Sequence, residues 1–171
     1  HFSWVGPTSG GLNQPDGLAV MPGGDLLVVS SGTNQVLRYD GKAAISFLRV
    51  VDDDNLPRVF AVTVGPDDYV YAAIRDGSSA RIRRYGALAG DILGQVGQDV
   101  DLASPAGCGI SSGTVYDIAI EPSGERMFVT ASVTCWFGAV RSVLLVLGGP
   151  NDTESQPGRF IRSFRSNDNN A

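Results

Sequence analysis

Apolar residues along this chain come in short runs broken by proline, glycine and aspartate, and one arrangement is written three times. An apolar segment, a tight turn built on proline and a second apolar segment recur at 17–29, 61–73 and 117–129, with Pro22, Pro66 and Pro122 at the turns. Recurrence on this scale signals a repeat architecture. Each period has room for four strands. The pattern predicts them at 17–21, 26–30, 35–39 and 43–51, then at 59–64, 69–74, 80–85 and 91–96, then at 115–120, 126–131, 141–147 and 159–165. A further strand is predicted at 1–6, ahead of the first copy.

Runs such as Leu26, Leu27, Val28 and Val29 are apolar at successive positions rather than alternating. Both faces of such strands are then buried, as when four-stranded sheets stack face to face about an axis. No segment of helical period separates the strands, which excludes a parallel α/β sheet. The fold class predicted is all-β: a β-propeller of four-stranded antiparallel blades, with about three blades and one extra strand, forming part of a larger ring of about six. The chain divides into 1–15, the outer strand and lead-in loop of a preceding blade; blades at 16–51, 59–96 and 115–165; a Gly/Ser/Ala-rich loop insertion at 97–114; and a polar tail at 166–171.

Composition agrees. The 171 residues include 22 Gly and 9 Pro, as many short strands and tight turns require, while 43% hydrophobic residues exclude a disordered chain. The longest aliphatic run, 143–147, is too short to cross a bilayer, and no signal-peptide core opens the chain, so a soluble domain without membrane insertion is expected. The net charge of −5 argues against nonspecific nucleic-acid binding, which needs cations to neutralise phosphates. Arg81, Arg83 and Arg84 form a local exception and read as a solvated strand edge.

The segments 10–20, 24–29 and 33–40 together resemble the NHL repeat. They carry its proline (Pro15), its glycine-apolar pair (Gly17, Leu18), its Gly-Asp turn, an aliphatic strand, an Asn before the third strand (Asn34) and an aromatic-Asp ending (Tyr39, Asp40). The other two copies keep the hairpin and lose the Asn, with Ala61 and Asp117 in place of Gly17. The resemblance implies a propeller. Relatives with similar blades include the senescence-marker and gluconolactonase family, streptogramin lyases and peptidyl-amidoglycolate lyases.

Propeller ligands sit where loops enter the first strand of each blade and leave the second. The candidate ligand or partner contacts at the channel mouth are therefore Asp16, Arg58, Tyr116 and Asp117 from the first set of loops, and Arg75, Asp76, Trp136 and Phe137 from the second. One acid per blade would form a carboxylate ring for a hard cation, but Asp16 is matched by the aromatic residues Phe60 and Tyr116. Asp16 and Asp117 thus also read as turn residues. The run Asp52, Asp53, Asp54 and Asn55 offers oxygens for calcium without the spacing of an EF-hand loop, so no metal or other cofactor is expected and calcium is the one candidate. His1 is the sole histidine, so neither a His pair nor a Ser-His-Asp triad can be assembled and no catalytic residue is predicted.

Cys108, in the insertion, and Cys135, beyond the second strand of the last copy, can reach one face of one blade as a disulfide. Asn151 opens an Asn-Asp-Thr glycosylation triplet. Both tilt the localisation toward an extracellular or secretory compartment. Three blades are too few to close a ring, and an open arc would expose two large apolar faces. The function expected is a non-catalytic binding or structural module of a larger extracellular assembly, with a protein partner or second copy completing the propeller and a glycan as a further ligand. The alternative is a fragment of a propeller hydrolase or lyase, lactonase-like or amidoglycolate-lyase-like, whose metal site missing blades would complete.

Overall fold

Proline fixes each hairpin. In the computed structural model, which describes residues 9–41, 46–52, 58–76, 79–86, 100–102, 110–135, 140–152 and 160–165, the three prolines take the second position of a tight turn. The Gly24, Asp68 and Gly124 amides close these turns by donating to the carbonyls of Met21 (2.8 Å), Gly65 (3.0 Å) and Glu121 (2.8 Å). Proline's locked φ suits that position. The closing residue is left-handed every time, with φ of 90° at Gly24, 61° at Asp68 and 75° at Gly124. Glycine adopts this conformation freely; aspartate is among the few other residues that tolerate it.

The strands so joined are β1 (Pro15–Val20), β2 (Leu26–Ser30), β3 (Gln35–Asp40), β4 (Ser46–Asp52), β5 (Val59–Val64), β6 (Val70–Asp76), β7 (Ser79–Tyr85), β8 (Val100–Asp101), β9 (Ile110–Ile120), β10 (Arg126–Cys135), β11 (Val140–Gly148) and β12 (Phe160–Arg165). They form three antiparallel four-stranded sheets, each in chain order, with β1, β5 and β9 as the inner strands. A short 3-10 turn at Ser9–Gly11 precedes the first sheet, and the Tyr39 hydroxyl donates to the Ser9 carbonyl across 2.8 Å.

The core consists of two interfaces. Leu27, Val29 and Val36 of the first sheet meet Val62, Val70 and Ile74 of the second. Tyr71, Ala73 and Ile82 of the second meet Val129, Leu145 and Leu147 of the third. The second sheet is buried on both faces, because Val70, Ala72 and Ile74 point one way while Tyr71 and Ala73 point the other. That is why its strands are apolar without alternation. Each large aliphatic side chain so buried contributes about 1.5–3 kcal/mol.

Two segments depart from the pattern. The outer strand of the second sheet was expected at 91–96, which lies outside the described residues; the strand paired with β7 is Val100–Asp101, inside the expected insertion. Its anchor is Leu102, 2% exposed and part of the second core cluster. The third hairpin is also longer than expected, since β9 starts at Ile110 and pairs as far as Cys135. Ser112 and Gly113 look like loop in isolation, but Thr134 and Val133 of the continuing strand supply them with a ladder. The expected strand at 1–6, Asp53, Asp54, Asn55, Cys108, Trp136, Phe137 and the tail at 166–171 lie outside the described residues.

Candidate functional site

The inner strands β1, β5 and β9 all break register at the same point. In β1, Pro15 faces Ser30 and Leu18 faces Val28, so that Asp16 and Gly17 share Val29. In β5, Val59 faces Ile74 and Ala61 faces Ala73, which leaves Phe60 over. In β9, Val115 faces Ala131 and Asp117 faces Thr130, which leaves Tyr116 over. A bulge of this kind frees one residue from the ladder and re-aims its side chain. Asp16, Phe60 and Tyr116 are therefore equivalent positions at one end of the sheets.

Neighbouring inner strands come close beside these bulges. A β-carbon on Gly17 would stand 3.0 Å from the Ala61 Cα and 3.3 Å from the Val62 nitrogen. Glycine is thus required by close approach of backbone, and the Asp16 and Phe60 bulges lie side by side. Asp16 is exposed, Phe60 is nearly buried, and Tyr116 is 61% exposed.

Of the other expected contacts, Arg58 is exposed and its guanidinium carbon lies 5.2 Å from the centre of the Phe60 ring. The Arg58 carbonyl accepts the Arg75 amide at 2.8 Å, so the backbones of Arg58, Arg75 and the adjoining Asp76 meet at this end. Asp117 is exposed, and its Oδ1 accepts the next amide, that of Ile118, at 2.9 Å. The sequence reads Asp16 and Asp117 as turn residues; they lie instead inside strands β1 and β9, at or beside the bulges where the register breaks. Among the described residues no three His, Cys, Asp or Glu side chains gather as a metal site.

Sequence reasoning missed the bracing of this end. The Ser30 hydroxyl, fully buried, accepts the Asn13 amide (2.9 Å) and the Thr33 hydroxyl (2.7 Å) and donates to the Asn13 carbonyl (3.0 Å). The Ser31 hydroxyl donates to the Gln14 carbonyl at 2.8 Å. Gln14 and Asn34 are left-handed, with φ of 51° and 55°. The Asn before the third strand thus has a physical reason, because asparagine tolerates that conformation. The signal in sequence was a run of Ser, Gly, Thr and Asn, which reads only as loop.

The proline-turn end is paired internally. Arg38 donates through Nε and Nη2 to Asp25 Oδ2 (2.8 and 2.6 Å), and Arg126 pairs with Glu121. Arg84, at the position of Arg38, instead stacks on Tyr69, at the position of Asp25, with 4.9 Å to the ring centre. The Tyr71 hydroxyl donates to Asp67 Oδ2 at 2.7 Å. Burial, and then the Asp67 carboxylate, push the Tyr71 pKa well above the usual tyrosine range, against a smaller lowering by Arg84. Asn151 lies at this end too, exposed in a turn, its Nδ2 donating to the Ser123 carbonyl at 2.9 Å.

No protein-family model matches the chain. No curated protein matches it either. Solved structures do. The chain is similar to a luciferin-regenerating enzyme, with 21% identity and a TM-score of 0.51 over 68% of this chain and 36% of that one. It is similar to YCF48 bound to D1 peptide, with 15% identity and a TM-score of 0.53 over 88% of this chain and 39% of that one. It is also similar to the PQQ-bound aldose sugar dehydrogenase of Streptomyces coelicolor, with 16% identity and a TM-score of 0.51 over 92% of this chain and 70% of that one. The chain therefore spans under two fifths of the length of the first two. These neighbours are β-propellers, and the three antiparallel sheets are blades of that fold.

Proposed function

We propose that the chain is a non-catalytic binding and structural module, an NHL-like part of a larger extracellular propeller, and that it meets its ligand at the bulge end of the inner strands. The observation that carries this reading is the unlike chemistry at three equivalent points, Asp16, Phe60 and Tyr116. A carboxylate ring for a hard cation would need an oxygen ligand at each of these points. Here the blades supply one carboxylate and two aromatic rings, one of them open to solvent, with the Arg58 cation alongside. An exposed aromatic flanked by charges suits a peptide or a glycan, where flat apolar area gives affinity and the charges orient the ligand.

The NHL-like assignment rests on Pro15, Gly17, Asn34 and Asp40; close backbone approach accounts for Gly17 and a left-handed φ for Asn34. The extracellular assignment rests on the cysteines and Asn151. Cys135 ends the β9–β10 ladder opposite Ile110, two positions along the sequence from Cys108, and a bridge between the cysteines would tie the insertion to the third blade. Asn151 is exposed in a turn, as a glycosylated residue must be. Further blades complete the ring.

The test is titration of the intact chain with a glycan set and a set of extended peptides, alongside lactone substrates in calcium buffer. Binding that falls about tenfold or more in Tyr116→Ala and Arg58→Ala supports the reading, tenfold being about 1.4 kcal/mol. Lactone turnover that disappears on chelation would sink it.

A further inference from the structure

The face of the first blade turned away from the second is built like an interior face. Paired residues in a ladder share a face, so the register sets Leu18, Val28 and Leu37 in one row and Val20, Leu26 and Tyr39 in the next. The outer ends of both rows are covered. Leu37 and Tyr39 are fully buried, and Tyr39 meets Phe47 edge-on at 5.8 Å between ring centres. The inner ends are open, with Leu18 62% and Val20 63% exposed.

The same positions recur in the other two blades. They are Val62, Val64, Val70 and Tyr85 in the second, and Ile118, Ile120, Met127 and Leu147 in the third. There they are packed into the two core clusters, each formed against the preceding blade. Twice within the chain, then, this face is covered by a blade, and twice the covering face has a small residue at the inner-strand bulge: Gly17 against the second blade, Ala61 against the third. The third blade departs from that rule on its own trailing face. It has Asp117 at the position of Gly17 and Ala61, and Thr130 at the position of Val29 and Ala73, both exposed.

Resting on the reading of this chain as part of a larger ring, we propose that the Leu18 and Val20 face docks a further propeller blade. That blade carries Gly or Ala at its inner-strand bulge and large apolar residues on its second strand, and it is not the third blade of a second copy. At Gly17 even one added carbon would stand 3.0 Å from the backbone of the next inner strand. An aspartate at that position holds the next strand off, and burying its carboxylate there is costly. Head-to-tail closure of two copies would put Asp117 in that place twice.

The probe is a tandem chain in which a copy of residues 9–52 is joined ahead of His1, giving a leading blade with Gly17, Ala19, Leu27 and Val29 on its trailing face. The thermal midpoint is expected to rise by about 5 °C or more over that of the parent. Leu18→Arg with Val20→Arg in the acceptor blade should cancel the rise, yet move the parent by less than about 2 °C, because both side chains are already exposed there. No rise, a rise that survives the double substitution, or an equal loss in the parent each overturns the proposal. So does sedimentation of the parent as a discrete dimer that Leu18→Arg and Phe128→Arg dissociate alike, since that is the second-copy ring; Phe128, paired with Ala119, shares the trailing face of the third blade with Thr130. A failure of peptide and glycan binding would leave the tandem's gain in place, which separates this inference from the functional one.

Discussion

Replacing Gly17 by alanine sets two effects of opposite sign against each other. The Gly17 φ is outside the left-handed region, so alanine can adopt the backbone, and loss of glycine's freedom in the unfolded chain favours the variant by about 0.4–1 kcal/mol. Against this, the new β-carbon would lie 3.0 Å from the Ala61 Cα, 3.2 Å from Val29 Cγ2 and 3.3 Å from the Val62 nitrogen. Two of those atoms are backbone of the neighbouring inner strand and cannot rotate away. Overpacking of this kind costs about 1–3 kcal/mol, occasionally more. The clash wins, with a net loss of about 1–2 kcal/mol. For a chain of this size that is a fall of roughly 2–8 °C in midpoint. Thermal melts and urea titrations followed by circular dichroism measure it. Adding Ala61→Gly should not restore stability, because the nearest atom is the Ala61 Cα, which glycine keeps. Gly23→Ala is the control, with nothing within 4 Å of its added carbon. A Gly17→Ala protein as stable as the parent would refute the close approach of the inner strands, and with it the argument that separates Asp117 from Gly17.

Gly24→Ala should cost about 1–2 kcal/mol from its left-handed φ alone, and Gly124→Ala more, because its added carbon would also meet Asn151 Nδ2 at 2.6 Å and Pro66 Cγ at 2.8 Å; paired urea titrations rank the two. Asp25→Ala leaves the Arg38 cation without its carboxylate and should cost about 1–3 kcal/mol, whereas Asp25→Tyr should cost less, since the second blade already satisfies the equivalent arginine by stacking on Tyr69. The raised Tyr71 pKa makes stability fully present below the unfolded tyrosine value of about 10 and lost as pH climbs above it. Alkaline unfolding should accordingly be shallower in Tyr71→Phe, which below about pH 9 costs about 1 kcal/mol for the lost Asp67 hydrogen bond. A bridge between Cys108 and Cys135 should appear as a deficit of about 2 Da in intact mass, and its reduction should cost on the order of 3 kcal/mol.

The hairpins were legible because proline, a turn and doubly apolar strands leave little choice of structure. Leu26–Ser30 and Val59–Val64 have the bounds that their patterns dictate. The outer strand of the second blade was not legible. A two-residue strand with an aspartate in it has no periodicity, and its position is set by Leu102 finding the core. The extension of β9 back to Ile110 was hidden for a related reason: Ser and Gly take strand geometry there because a partner strand is waiting. At the candidate site, the equivalence of Asp16, Phe60 and Tyr116 could be read from the repeat. The bulges could not, since a bulge is a property of register between two strands rather than of either one. The exchange of an Asp25–Arg38 ion pair for a Tyr69–Arg84 stack was equally invisible, because each pair is formed across strands.

The bulge also explains how one scaffold position can vary while its neighbour cannot. Asp16, Phe60 and Tyr116 are freed from the ladder, so their replacement need not disturb a hydrogen-bonded pair. The residue beside each, Gly17, Ala61 or Asp117, sets how closely the next inner strand approaches. If the bulge end binds as proposed, ligand chemistry and blade spacing are written in adjacent residues with separate constraints. Changes at Asp16 or Tyr116 should alter binding with little change in melting, and changes at Gly17 should alter melting first. The aspartate at 117 is the one place among the three where the spacing code departs from a small residue, and it does so on a face where Asp117 and Thr130 are exposed. Any element packed on that face of the third blade must therefore meet it differently from the way the second blade meets the first.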